Sequence, residues 1–154
     1  YEMPELGFNY RASDLHCALG LSQIGKLEKF ASRRRDLAAR YDAALAPLAP
    51  VLKPVRRLLG NPVLHLYVVL IDFAAAGVDR ATFMNRLRDD GIGSQVHYIP
   101  VHSQPYYRQR YGELKLPGAE RYCDKCLSLP LFPGMADEDI GRVVQAISEI
   151  LGVS

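Results

Sequence analysis

The stretch Leu64-His65-Leu66-Tyr67-Val68-Val69-Leu70-Ile71-Asp72-Phe73 carries apolar residues on both alternating faces of an extended chain. Successive side chains of a β-strand point to opposite sides. One side of this segment carries Leu64, Leu66, Val68 and Leu70, and the other carries Tyr67, Val69 and Ile71. A strand with two apolar faces is central in its sheet or covered on both sides. The sequence therefore predicts a central strand here.

A helix and a second strand are predicted after this strand. Asp79 is a good N-cap for a helix over residues 80–90, and Gly91 supplies its C-terminal stop. Residues 94–99 are typical of a second strand. Together these segments predict a β-α-β core over residues 63–100, although the pattern does not determine the order of the strands.

Helices flank this core on both sides in the sequence. The C-terminal part, residues 113–151, is predicted to contain two helices separated by a short strand over Leu129–Phe132. The N-terminal part, residues 13–46, is predicted to contain two helices. The first of these, from Ser13 to about Gly25, is apolar almost all round. Such a helix is buried on more than one side, which hints at a missing domain or a second subunit.

The predicted element order, α-α-β-α-β-α-β-α, indicates one α+β domain over residues 1–154, a small sheet with helices packed on it. The length suffices for a real core. Hydrophobic residues make up 49% and charged residues 23%, which is typical of a globular chain rather than a disordered one.

Charge and composition exclude several other classes of protein. A net charge of +2 is too small to favour nucleic-acid binding, and no apolar run approaches the roughly 20 residues of a membrane span. The N-terminal residues lack a signal-peptide pattern, and the odd set Cys17, Cys123 and Cys126 favours free thiols in a reducing compartment. Cys123 and Cys126 have metal-ligand spacing but no second pair. We therefore predict a cytoplasmic protein with no metal site.

A polar and aromatic segment, Gly7-Phe8-Asn9-Tyr10-Arg11-Ala12-Ser13-Asp14, precedes the first helix. Ser13 can cap that helix, and Asp14 suits its positive end. The Asn9 amide can donate two hydrogen bonds, and the Arg11 guanidinium suits phosphate or carboxylate. On these residues alone, the segment is either a capping loop or a binding loop.

Three blocks of the sequence resemble signatures of the DegT/StrS group of sugar aminotransferases, which are fold-type I enzymes that use pyridoxal phosphate (PLP). The blocks are residues 7–14 followed by Ala18-Leu19-Gly20 and Gln23, residues 91–108, and Ser128–Pro133. Within the group they resemble the PseC-type transaminases of pseudaminic acid synthesis. The resemblance implies the small C-terminal domain of a fold-type I enzyme, with a three- or four-stranded sheet. It also implies that the larger PLP-binding domain is absent from this chain.

The activity that the resemblance implies is nucleotide-sugar transamination. An amino group would move from an amino acid, with glutamate as the expected donor, to a UDP-linked 4-keto-6-deoxy sugar, in pseudaminic acid or related surface-glycan synthesis. PLP chemistry needs a Schiff-base lysine and an acid at the pyridine nitrogen, and the family supplies both from the large domain. We therefore predict no catalytic residue in this chain and no activity of the chain alone. The whole enzyme is expected to be a homodimer.

Cofactor and substrate contacts are nevertheless expected from this chain. Asn9 matches a family asparagine that reaches across the dimer to the PLP phosphate, or it satisfies its own loop. Arg11 contacts phosphate or pairs with Asp14. Tyr98 matches a family tyrosine that contacts the nucleotide-sugar. His97 either bonds the diphosphate or is a satisfied core histidine, and on a strand it would point away from Tyr98.

A polar and aromatic patch follows: His102, Gln104, Tyr106, Tyr107, Arg108 and Tyr111. Large flat rings lose little entropy on contact, so such patches bind sugars, bases or protein partners. His102 and Tyr106 are the substrate contacts expected from this patch. The alternative is a loop that packs over the sheet.

Two other functions remain open at this point. Some members of the family are PLP-dependent sugar dehydratases, in which the Schiff-base lysine is replaced, and that position lies outside this sequence. The chain could also be a stand-alone small domain that binds a ligand or partner without catalysis.

Overall fold

The computed structural model describes residues 5, 7, 8, 10–56, 60 and 62–153. In this part of the chain, helices surround one small sheet, which confirms the predicted α+β class. The helices are α1 (Asp14–Ile24), α2 (Leu27–Leu45), α3 (Arg80–Asp89), α4 (Pro105–Tyr111), α5 (Pro117–Lys125) and α6 (Asp137–Leu151). The strands are β1 (Leu52–Pro54), β2 (Tyr67–Ile71) and β3 (Cys126–Leu129), and short 3₁₀ turns lie at Ala46–Leu48 and Val101–Ser103.

The sheet is antiparallel, with β2 between β1 and β3. The predicted central strand is therefore confirmed as β2. Its alternate residues Tyr67, Val69 and Ile71 are buried, whereas Val68 and Leu70 are half-buried. One face of the strand thus packs fully against the core, and the other is covered only in part.

The prediction of a second strand over residues 94–99, and with it the β-α-β core, is wrong. Only Gln95 pairs with the sheet, through a single antiparallel bridge to Ser128. The Gln95 side chain accepts a hydrogen bond from the backbone N–H of Val96 at 3.0 Å. Gln95 and Ser128 exchange both backbone hydrogen bonds, so the N–H of Val96 points away from β3 and bonds the Gln95 side chain instead.

The other two strands differ from the sequence-based expectations in detail. Strand β1 was not predicted, because residues 51–62 are rich in loop-forming residues. It is a short edge strand that ends at Pro54, a position where proline is tolerated. The last strand was predicted over Leu129–Phe132 but lies at Cys126–Leu129. Pro130 has no N–H to donate to a ladder, so pairing with β2 stops before it.

The helix starts follow the predicted capping pattern. The Asp79 carboxylate accepts a hydrogen bond from the N–H of Thr82 at 3.0 Å and so caps α3. Ser13 caps α1 through the N–H of His16 at 3.5 Å. At α6 the capping residue is Ala136, whose own N–H donates to Asp139 at 2.9 Å. Gly91 has φ +76°, so it ends α3 in a conformation that favours glycine.

The core lies between β2 and helices α2, α3 and α6. Its largest fully buried side chains include Tyr41, Leu37 and Leu45 from α2, Phe83 and Leu87 from α3, and Ile147 from α6. Arg34 of α2 ties this body to the loops beside the sheet. Its Nη1 lies 3.3, 3.0 and 2.8 Å from the carbonyl oxygens of Leu64, His65 and Leu131.

Helix α1 has no buried residue, although it is rich in large apolar side chains. Leu15, Leu19, Leu21 and Ile24 are between 60% and 83% exposed. The expectation that this helix is buried on more than one side is therefore not met within this chain. Of the helices in the described part of the chain, none combines the length and apolar character that a membrane span requires.

Candidate functional site

The predicted pair His97 and Tyr98 lies where the chain leaves its bridge to β3. His97 Nδ1 is 2.8 Å from the hydroxyl of Ser128, a buried polar residue of β3. The two rings meet edge to face, with centroids 4.8 Å apart, so they do not point to opposite faces as a strand would require. Tyr98 is 73% exposed. The half-buried His97 is thus tied to the sheet, while the phenol of Tyr98 is presented to solvent.

Ser128 belongs to the third signature block, but it is not among the site residues that the sequence predicts. The signal was available, because it is the one hydroxyl residue within the apolar run Cys126–Leu129. A buried hydroxyl requires a hydrogen-bond partner. That partner is His97, from a segment distant in sequence.

Helix α4 displays an aromatic strip, defined here as Tyr106, Tyr107 and Tyr111. Tyr106 and Tyr111 are 62% and 60% exposed. The rings of Tyr106 and Tyr107 meet edge to face with centroids 5.2 Å apart, and the guanidinium of Arg110 lies 5.6 Å from the Tyr111 ring. Arg110 also donates to the Tyr106 hydroxyl at 3.3 Å. The strip offers flat apolar faces next to a cation, which suits a sugar, a base or a phosphate.

His102 takes a different position from Tyr106, although both were predicted to contact substrate. Its side chain is only 8% exposed, and its Nε2 lies 3.3 Å from Glu120 Oε1. The pKa of the Glu120 carboxyl is lowered, chiefly by the hydrogen bond from the N–H of Leu116 and further by His102. This carboxylate therefore remains charged at neutral pH. No sequence pattern predicts a role for Glu120, because it lies in α5, 18 residues from His102 in the turn before α4.

A groove of about 450 Å³ lies beside the aromatic strip. Its lining is Pro100, Val101, His102, Tyr107, Tyr111, Leu114, Leu116 and Ala119. The lining is mostly apolar, and the imidazole ring of His102 forms part of its wall. The groove is therefore suited to a flat, partly apolar group.

The N-terminal block is described only in part. Asn9, predicted to contact the PLP phosphate, lies outside the described residues. Arg11 is exposed, and within the described residues it forms no ion pair with Asp14. The rings of Phe8 and Tyr10 lie 5.6 Å apart, and both side chains are more than 80% exposed.

The lysines of the chain all lie at the surface of this structure. All of them, Lys26, Lys29, Lys53, Lys115 and Lys125, are exposed. Lys125 is paired with Asp72 at 2.6 Å. A Schiff-base lysine sits in an enclosed pocket that tunes its pKa. The residues described here therefore do not fit the cofactor by themselves.

The three cysteines of the chain differ in burial. Cys17 is exposed, Cys123 is half-buried and Cys126 is buried, and none forms a disulfide. Burial raises the pKa of the Cys126 thiol. Among the described residues, no group of three or more His, Cys, Asp or Glu side chains is placed to hold a metal ion.

Comparison with known proteins defines the class. Residues 1–148 match the model of the DegT/DnrJ/EryC1/StrS aminotransferase family. The chain belongs to this family. Its fold is that of solved fold-type I aminotransferases, with TM-scores above 0.8.

Three relatives illustrate the match. The spore coat polysaccharide biosynthesis protein SpsC of Bacillus subtilis (strain 168) is 38% identical over 98% of this chain. Helicobacter pylori PseC, an aminotransferase involved in the biosynthesis of pseudaminic acid, has a TM-score of 0.88 at 26% identity, again over 98% of this chain. DesI, solved with its TDP-sugar product, has a TM-score of 0.83 at 27% identity over 91%. The chain spans 40% of the length of SpsC, 40% of PseC and 36% of DesI.

Proposed function

We propose that this chain is the C-terminal portion of a PLP-dependent nucleotide-sugar aminotransferase. The reaction moves an amino group from an amino acid, with glutamate as donor, to a UDP-linked 4-keto-6-deoxy sugar. Family membership over residues 1–148 supports the aminotransferase class. The relationship to SpsC and PseC supports a role in the synthesis of surface polysaccharides or of pseudaminic acid. The TDP-sugar product of DesI supports a nucleotide-linked sugar as substrate.

One contact in the structure gives the strongest support for a substrate-binding role of this site. The His97–Ser128 hydrogen bond joins two signature blocks through residues that are 31 positions apart in the sequence. It holds the segment from which Tyr98 projects with 73% of its surface exposed. An exposed phenol on a fixed segment can donate to a sugar hydroxyl or a diphosphate oxygen without first being ordered. Tyr98 and Tyr106 are therefore our proposed substrate contacts, with His97 positioning Tyr98.

The cofactor would be held mainly by residues outside this chain. PLP supplies the electron sink for amino-group transfer when it is bound. From this chain we propose Asn9 and Arg11 as contacts to its phosphate, Asn9 acting across a homodimer interface. An amide and a guanidinium both donate hydrogen bonds to phosphate oxygens. The exposed apolar residues of α1 support packing against another domain or subunit, and the three free thiols support a cytoplasmic location.

The test uses the native protein isolated from its source. We expect an intact mass well above that of the 17.2 kDa chain, together with the visible absorbance of bound PLP. Incubation with glutamate should convert UDP-linked 4-keto-6-deoxy sugars into amino sugars, and a TDP-linked panel measures nucleotide preference. Loss of water from the sugar without transfer of nitrogen would instead identify a dehydratase.

The 154-residue chain alone should be inactive in the same assay, because it lacks an enclosed lysine among the described residues. Turnover by the purified chain would contradict the proposal. A native mass equal to that of the chain, with no chromophore, would favour a stand-alone binding domain.

A further inference from the structure

The region that carries the aromatic strip has little apolar anchorage. No apolar residue of the Val101–Ser103 turn, α4 or α5 is buried, although the side chain of His102 is only 8% exposed. Apolar burial normally fixes the position of such segments. Here the position depends on a few polar contacts instead, so each of those contacts matters for the geometry of the groove.

Glu120 makes the contact that spans the groove. Its Oε1 accepts a hydrogen bond from the N–H of Leu116 at 2.9 Å and lies 3.3 Å from Nε2 of His102. Leu116 and His102 both line the groove, but they come from the start of α5 and from the turn that precedes α4. One carboxylate oxygen therefore links the two segments that form the groove.

The rest of the region offers no second link of this kind within the described residues. Arg108 pairs with Glu113, which joins α4 only to the loop immediately after it. Arg80 donates to the carbonyl of Cys123, and Lys125 pairs with Asp72; both contacts fix the end of α5 to the body of the fold. The start of α4 is thus connected to the fixed α5 through Glu120.

We propose that Glu120 is a positioning residue, which holds His102 and with it the start of α4, so that Tyr106 is presented to the sugar nucleotide. That the ligand is a sugar nucleotide rests on the proposed function. The contacts of Glu120 with Leu116 and His102 are independent of it. Removal of the Glu120 carboxylate takes away its contacts to Leu116 and His102 at once, so its loss is expected to release the turn and α4 together.

The experiment compares Glu120→Ala and Glu120→Gln with Glu113→Ala in the intact, full-length protein. Glu113 is a matched control, because it is an exposed carboxylate in the same region that pairs only locally. The first measurement is hydrogen exchange over residues 101–116. Glu120→Ala should raise exchange there by about tenfold or more, as the loss of a charged hydrogen bond implies, and exchange in α6 should stay unchanged. Glu113→Ala should leave both regions unchanged.

The second measurement is steady-state kinetics with the UDP-sugar. Glu120→Ala should raise KM for the sugar nucleotide by about tenfold, with kcat and KM for glutamate within about twofold of wild type. Glu120→Gln keeps an acceptor for the N–H of Leu116 and should recover part of the KM loss. The control should behave as wild type.

Two outcomes would overturn the proposal. Faster exchange without any change in KM would reduce Glu120 to a cap of α5, and unchanged exchange would show that it does not hold the turn. A wild-type protein that turns over no sugar nucleotide would instead defeat the proposed function. Glu120 would then be judged by hydrogen exchange alone.

Discussion

Helices α1 and α6 are both rich in apolar residues, yet they have opposite roles in this chain. In α6 the apolar side chains lie on one stripe, and Ile140, Val143, Ala146, Ile147 and Ile150 are all buried. In α1 they lie on two sides of the helix, and not one of them is buried. The difference shows that one stripe can be satisfied by one neighbouring layer, whereas two opposite apolar sides need neighbours that this chain does not provide.

The largest expected effect comes from truncating a core residue of α6. Ile147→Ala should lower the free energy of unfolding by about 2–5 kcal/mol, because it removes buried methyl groups and leaves a cavity. The matched change Leu21→Ala in α1 should alter it by less than about 0.5 kcal/mol, since Leu21 is exposed. Urea unfolding of the 154-residue chain measures both. Comparable losses would mean that α1 packs within the chain after all.

The second-largest effect on the free energy of unfolding is expected from the loss of the Arg34 hydrogen bonds. Arg34→Met keeps an apolar stem but removes the donor that faces the carbonyls of Leu64, His65 and Leu131. We expect a loss of about 1.5–3 kcal/mol in the free energy of unfolding, as for hydrogen bonds to charged groups. Arg40→Met is the control, because Arg40 is 52% exposed and pairs with Asp137 at the surface, a contact worth at most about 1 kcal/mol. Equal losses in the two variants would contradict the assigned role of Arg34.

Polar substitutions on α1 should separate stability from association. Leu19→Gln and Leu21→Gln together should change the unfolding free energy by no more than about 1 kcal/mol, because both side chains are exposed and glutamine is a good helix former. The same pair should reduce the binding of an apolar dye, and in the full-length protein it should weaken assembly. Dye binding that stays at the wild-type level would show that α1 is not the apolar surface of the chain.

The smallest effect is expected in acid. Hydrogen bonding from Arg33, aided by the charge of Arg40, holds the pKa of the Asp137 carboxyl at the start of α6 below its usual value. Because the folded-state pKa is below the unfolded one, the carboxylate stabilises the fold above the unfolded pKa of about 3.9. This contribution is lost as the pH falls through the folded-state value. Asp137→Asn should therefore flatten the decline of stability in acid, measured as urea midpoints between about pH 3 and 6. An unchanged decline would rule out this contact as a source of acid sensitivity.

The sequence predicted the central strand and the helices of the described residues other than α4, which lies where a loop or broken helix is expected, because those signals are local. Asp79 caps α3 as expected, and the apolar run around Tyr67–Ile71 is the middle strand. Prediction from the sequence failed where the pairing of strands depends on residues far apart in the chain. Residues 94–99 have strand-like composition, but only Gln95 finds a partner in β3. The short edge strand β1 exists because β2 pairs with it, and its own residues carry no strand signal.

The candidate site divides in the same way. Sequence blocks pointed to His97, Tyr98, His102 and Tyr106, and the aromatic character of the region follows from composition. The sequence did not predict which of these side chains is exposed to solvent and which is enclosed. His97 is held by Ser128 while Tyr98 is 73% exposed, and His102, with 8% of its side chain exposed, contacts Glu120. Both contacts join residues far apart in sequence, where periodicity carries no information.

The sequence by itself determined the α+β class, most helices, the central strand and the family blocks, because capping, alternation and short motifs act over a few neighbouring residues. Only the tertiary structure decided the antiparallel order of the sheet, the solvent exposure of α1 and the Glu120 link across the groove. These features depend on long-range contacts, whose free energy arises only when separate segments meet.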